Sequence, residues 1–109
     1  MNSVTYTYKA QVVNWVDGDT VDLRVDLGFR MWAETRFRLA SIDTPERGQP
    51  NWAEATAKAR ELAPVGSAVI IQTFKSADKY GRWLVEIWNP EGQEINSTLV
   101  ELGLAKAYM

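Results

Sequence analysis

Five charged side chains stand at positions where the chain is expected to turn, and together they fit the chemistry of phosphodiester hydrolysis. Asp19 follows the turn signal Asp17-Gly18, while Asp43 and Glu46 flank Thr44-Pro45. Arg38 precedes Asp43 by five residues, and Arg82 closes the run Asp78-Lys79-Tyr80-Gly81-Arg82. Two carboxylates with a nearby carbonyl oxygen make an oxygen-only site that suits Ca²⁺ or Mg²⁺ and not zinc. A third carboxylate, Glu46, can orient or deprotonate a water beside such a cation. Two guanidiniums can hold a phosphate and the charge that builds on it as water attacks. The chain has no histidine and no cysteine. That removes the commonest general base, the commonest transition-metal ligand and every thiolate site. A phosphodiester needs none of them.

Each of these pieces also has a plain structural reading. Asp17-Gly18-Asp19 can simply make a hairpin turn, and Asp43 to Glu46 can simply end a strand. Arg38 can be a solvated strand residue, and Arg82 can pair with Asp78 or Glu86 at the surface, where an ion pair contributes roughly 0–1 kcal/mol. The joint pattern, in this order and spacing, weighs against coincidence.

The elements that must position these groups are legible from periodicity. Residues 5–16 are rich in Tyr, Val and Trp and read as a strand, closed by the turn signal at Asp17-Gly18. Val21, Leu23, Val25 and Leu27 alternate with Asp22, Arg24 and Asp26, a half-buried second strand. After a turn at Gly28 to Met31, residues 32–42 form a third strand. Pro45, Gly48 and Pro50 then break the pattern before a helix over 51–63, with Asn51 and Glu54 as a capping box and Trp52, Ala55, Ala59 and Leu62 on one stripe. Strands over 68–74 and 83–88 follow, separated by a polar loop from Asp78 to Arg82. A short helix over 96–102, stopped by Gly103, completes the chain. This order predicts an α+β fold that is predominantly β: a five-stranded OB-fold barrel with a helix between strands 3 and 4 and a short C-terminal helix. A geometric condition comes with it. Arg38 and Asp43 have opposite parity in a regular strand, so both reach one site only if the strand bulges or ends between them, near Ser41.

The bulk numbers set the frame. The 109 residues make a single domain, 1–109, with 46 % apolar residues. No apolar run approaches the roughly 20 residues of a membrane span, so no membrane partner is expected. The start, Met1-Asn2-Ser3-Val4-Thr5-Tyr6, lacks a secretion signal, which predicts a cytoplasmic protein. A net charge of −2 argues against a broad basic footprint for duplex binding and leaves room for a local phosphate pocket. No feature calls for a partner chain, and a monomer is favoured. Of the five tryptophans, Trp15 and Trp52 read as core, at most one of Trp83 and Trp88 faces inward, and an exposed Trp32 or Trp88 can stack on a base.

Val16-Asp17-Gly18-Asp19-Thr20-Val21, Phe37-Arg38-Leu39 through Ile42-Asp43-Thr44-Pro45-Glu46, and Asp78-Lys79-Tyr80-Gly81-Arg82 resemble the staphylococcal (thermonuclease-like) nuclease family. The ending Asn96 to Leu99 and Gly103-Leu104-Ala105-Lys106 is similar as well. The resemblance implies an OB-fold endonuclease that uses calcium to hydrolyse DNA and RNA, single-stranded or denatured in preference, at the P–O5′ bond to leave 3′-phosphates. By motif position it implies Asp19 and Asp43 as metal ligands, joined by the Thr44 backbone carbonyl. It implies Glu46 as general base or water-orienting residue, and Arg38 and Arg82 as the pair that binds phosphate and stabilises the transition state. Lys79, Tyr80 and Tyr108 fall where the family contacts nucleotide. The chain departs from well-studied members in being acidic, so recognition is expected to be confined to a few nucleotides around the metal. The alternative is a non-catalytic OB-fold module that binds nucleic acid or protein. Such modules typically lose the catalytic carboxylates and arginines, whereas Asp19, Arg38, Asp43, Glu46 and Arg82 are all present.

Overall fold

In a computed structural model, which describes residues 6–77 and 83–107, five strands close into a barrel in the order β1-β2-β3-β6-β5. The strands are β1 (Tyr6–Asp17), β2 (Thr20–Gly28), β3 (Met31–Leu39), β5 (Ala68–Ala77) and β6 (Trp83–Trp88). A second, two-stranded sheet pairs β4 (Ile42–Asp43) with β7 (Lys106–Ala107). Helix α1 (Trp52–Leu62) lies between β4 and β5, and α2 (Ile95–Glu101) follows β6. The predicted OB-type barrel is therefore the fold.

Closure depends on β1. Its first part, Tyr6 to Gln11, pairs with β5, and its later part, Ala10 to Asp17, pairs with β2. Register shifts between Val12 and Asn14 and between Trp15 and Asp17 bend the strand, as bulges do, so that one strand serves both neighbours. The remaining seam is the parallel pairing of β3 with β6, from Phe37 opposite Trp83 to Leu39 opposite Val85.

The inward positions of the alternating strands fill the barrel. Val12, Trp15, Val21, Leu23, Leu39, Ile71, Val85 and Ile87 are all buried, together with Ile95 and Leu99 from α2. Helix α1 meets them through Ala59 and through Ala63 just past its end, small side chains that let its backbone approach closely. Trp15 is core, as its pattern predicts, and its indole N–H donates to the Ala63 carbonyl at 2.8 Å. Between them Trp83 and Trp88 supply no buried side chain; the core side chains of β6 are Val85 and Ile87.

Two expectations are corrected. Asn51 does not cap α1 with its side chain: its backbone is left-handed (φ 69°), and that geometry is not the extended one a side-chain N-cap needs. The helix entry is instead held by a tight turn in which the Trp52 N–H donates to the Gln49 carbonyl at 3.2 Å. Nor does the third strand run to Ile42. It stops at Leu39, turns through Ala40-Ser41 with Ser41 at φ 65°, and resumes as β4.

Candidate active site

The β3–β4 break is what assembles the polar cluster. With Ser41 in the left-handed region, Asp43 is turned back towards the face that carries Arg38, which meets the parity condition read from the sequence. One Arg38 Nη then lies 3.2 Å from Asp43 Oδ1 and 3.5 Å from Asp19 Oδ2, and donates to the Ile42 carbonyl at 3.2 Å. The Arg38 side chain is 15 % exposed and that of Asp43 55 %, so the cluster opens to solvent on the Asp43 side.

Asp19 is the buried member, and its position is over-determined. Oδ1 accepts from the Thr20 hydroxyl at 3.1 Å, and Oδ2 accepts from the Thr44 backbone N–H at 3.1 Å. Its own carbonyl receives the Leu39 N–H at 2.8 Å, tying the β1–β2 turn to the end of β3. Gly18 makes this approach possible. A Cβ there would lie 3.0 Å from Thr44 Cγ2 and 3.2 Å from Ala55 Cβ, tighter than ordinary van der Waals contact, so that Thr44 or Ala55 would have to shift. The hairpin turn predicted at Asp17-Gly18 is present, with Asp17 pairing to Thr20, and Gly18 has a second role in it. Gly18 is absent from the left-handed glycines, and its small size serves packing against Thr44 and α1.

Residues outside the polar set hold the break in place. Asn96, buried on α2, donates through Nδ2 to the Ala40 carbonyl at 2.9 Å and the Val85 carbonyl at 3.1 Å, and accepts the Ile87 N–H at 3.3 Å through Oδ1. One amide thereby joins the β3–β4 turn, β6 and α2. The Ala40 N–H adds a 2.7 Å bond to the Val85 carbonyl. The sequence signalled only a helix start at Asn96; a lone amide among Ile95 and Leu99 was the available hint. Asp17 has a similar role at the α1 side, accepting the Trp52 indole N–H at 2.6 Å, and Arg47 stacks over the same ring at 5.0 Å.

Glu46 lies three residues past Asp43 with an exposed side chain. Among the described residues, no three carboxylates gather into one metal-binding group, so Asp19 and Asp43 stand as a pair without Glu46. Beside Asp43 and Thr44 a cleft of about 410 Å³ runs between the 43–51 loop and residues Gly103 to Lys106. Lys106 pairs with Asp43 across the β4–β7 ladder and brings a cation to the cleft rim. Arg82, Lys79, Tyr80 and Tyr108 lie outside the described residues.

The closed OB-type barrel agrees with the family that the comparisons with known proteins find. Residues 36–109 match the family model of staphylococcal nuclease homologues, and the chain belongs to that family. It is 34 % identical to a protein named micrococcal nuclease from Shigella flexneri, across 93 % of this chain and 59 % of that protein. It is 31 % identical to an uncharacterized endonuclease from Escherichia coli O157:H7, across 90 % of this chain and 60 % of that protein. Protein ParB of Escherichia coli is 32 % identical across 92 % of this chain and 57 % of its own length. The chain thus spans about 60 % of the length of these curated relatives.

Proposed function

We propose that this protein is a calcium-dependent nuclease that hydrolyses DNA and RNA, single-stranded or denatured in preference, at the P–O5′ bond to leave 3′-phosphates. The observation that carries the reading is the sharing of one Arg38 nitrogen between Asp19 and Asp43 across the Ser41 break. Family membership, and relatives named as nucleases, support the same reaction class.

The donor set fits a hard cation. Asp19 and Asp43 offer carboxylate oxygens only, and with Arg38 between them the cluster keeps one net negative charge. The Thr44 hydroxyl is buried with no hydrogen-bond partner among the described residues, an oxygen left over at the edge of the same pair. Asp19, Asp43 and the Thr44 carbonyl would hold the ion, which when bound supplies positive charge to the phosphate and lowers the pKa of a water. The chain's own residues do the rest. The Thr20 hydroxyl and Thr44 N–H keep the Asp19 carboxylate aimed, so it does not swing when substrate arrives. Arg38 donates to the phosphate oxygens, with Arg82 as its counterpart, and Glu46 takes the proton of the attacking water as the new P–O bond forms and P–O5′ breaks. The 5′-oxygen leaves as a hydroxyl with a proton from solvent. Lys79, Tyr80 and Tyr108 contact the nucleotide.

The test is direct. Purified protein with millimolar calcium should degrade heat-denatured DNA and RNA between pH 7 and 10, and end-group analysis should find 3′-phosphates. Intact substrate, or cleavage undiminished by a chelator, would sink the proposal.

A further inference from the structure

The β2–β3 hairpin carries an exposed apolar surface at the end of β3 away from Arg38. Seven residues of β3 separate Arg38 from Met31, roughly 23 Å at strand rise. At that end the β2–β3 hairpin projects past the barrel rim. Its apex, Phe29, is 96 % exposed and Met31 60 %, while Tyr6, Leu27 and Trp83 are exposed by 41 %, 44 % and 44 %. Behind the apex lies a groove of about 620 Å³, walled by Tyr8, Val25, Leu27, Phe37, Phe74 and Trp83.

The apex is held there at a cost. Phe29 (φ 56°) and Arg30 (φ 62°) occupy the two central positions between Gly28 and Met31, both left-handed. Two-residue hairpin turns of this kind favour Asn-Gly, because positive φ strains a branched or bulky side chain. Here a phenylalanine takes the position and points its ring into water, although asparagine would relieve the strain and the exposed apolar area together.

We propose that this end is a self-association surface, in which Phe29 of one copy inserts into the groove of a second copy and receives that copy's Phe29 in return. Plug and socket lie on the same surface and share Leu27, which is what a two-fold interface requires. The charges around the hairpin are Arg24 and Arg30 against Asp26 and Glu34, and they balance. A lipid surface or a phosphate backbone would call for an excess of cation there, whereas a second copy calls for both signs. Arg24 is moreover stacked on Trp32 at 4.5 Å, on the outward face of the sheet. The area is of the right order. At about 150–250 Å² per fully covered aromatic, the exposed parts of Phe29, Met31, Leu27, Tyr6 and Trp83 come to roughly 500–600 Å². Two copies would bury roughly 1,000–1,200 Å² in total, the lower range for a specific contact, so the dimer is weak. Phe29 and Met31, the apex of the contact, lie at the far end of β3 from the Arg38 cluster. The proposed dimer departs from the monomer that the sequence led us to expect.

Sedimentation equilibrium tests this without reference to nuclease activity. Wild-type protein should pass from the mass of one chain towards twice that mass with a midpoint of roughly 10 µM to 1 mM. Phe29→Asn, which suits the turn, should melt at the same temperature or higher and associate at least about tenfold more weakly. Leu27→Glu, at the groove mouth, should weaken association by a similar factor while circular dichroism stays unchanged. A wild-type protein that remains one chain up to ~1 mM overturns the proposal. So does association that Phe29→Asn leaves intact. Phe29-dependent binding to phosphatidylcholine–phosphatidylserine vesicles by a protein that stays monomeric would assign the surface to membranes and overturn it as well.

Discussion

The two ends of the barrel use the same three strands, β1, β2 and β3, in opposite ways. At the Asp19 end polar groups are tied to others distant in sequence: Asp19 to Thr44, Arg38 to Asp19, Ala40 to Asn96. At the hairpin end the strands run on to a tip whose Phe29 is 96 % exposed. Both ends store backbone strain in non-glycine residues with positive φ, Ser41 at one and Phe29 with Arg30 at the other. The difference lies in what surrounds the strain. Around Ser41 a hydrogen-bond network and a packed glycine leave the chain no alternative. Around Phe29 no contact among the described residues offsets the strain, which is why a partner is the natural place to look for it.

If the first end is the site and the second is not, substitutions should divide accordingly. The largest effect should come from the charged set. Arg38→Ala and Glu46→Gln should each lower the initial rate on denatured DNA by at least about 100-fold with the fold retained. A loss below about threefold in either would show that the residue has no part in the chemistry. Arg38→Ala also leaves buried Asp19 without its guanidinium, so a lower melting temperature should accompany it, whereas exposed Glu46→Gln should leave melting unchanged.

Next in size is Asn96→Leu. It strips partners from the Ala40 carbonyl and the Ile87 N–H, both inside the structure, and should cost about 2–4 kcal/mol by urea unfolding. Because Ala40 adjoins the Ser41 break, calcium-dependent activity per folded molecule should fall as well. An Asn96→Leu protein of unchanged stability would mean that the network does not hold the break. Gly18→Ala should follow at about 1–3 kcal/mol, since the added methyl presses on Thr44 and Ala55. By moving the Thr44 N–H from Asp19 it should also weaken calcium binding, measurable by titration calorimetry. At the hairpin end a comparable change of side chain, Phe29→Asn, should not destabilise at all, and that contrast is the sharpest check on the division.

The smallest effect belongs midway along the barrel wall. Burial, and then the nearby Glu94, push the Glu86 carboxyl above its ordinary value of 4.5. A carboxyl raised on folding favours the folded state while it is protonated, so this contribution is full below the unfolded value and is lost as pH rises through the folded one. At neutral pH the ionised Glu86 therefore weighs against the fold. Glu86→Gln should raise the melting temperature slightly at pH 7–8 and leave it unchanged near pH 4, with no change in activity. A shift of equal size at both pH values would rule out charge as the cause.

Much of this molecule was legible before any coordinates. Alternation of Val21, Leu23, Val25 and Leu27 with charged residues specifies a half-buried strand, because a two-residue repeat is the only period that buries one set and solvates the other. Parity required a break between Arg38 and Asp43 if both were to reach one site, and the break is at Ser41. Glycine at 103 ends the last helix with a left-handed residue (φ 75°), as its type predicts. These are local facts, set by spacing along the chain.

What the tertiary structure alone decided is the set of relations between distant residues. Gly18 reads as a turn, which it is, and also proves to be a clearance for Thr44, 26 residues on. Asn96 reads as a helix start and proves to be the tether of a turn 56 residues earlier. Asn51 and Glu54 read as a capping box, yet the turn that precedes them delivers Asn51 in a left-handed conformation that forbids it. The physical reason is common to all three. Periodicity tells which side of an element is buried, but the identity of the neighbour depends on how five strands close, and a closed barrel brings together positions that no local repeat relates.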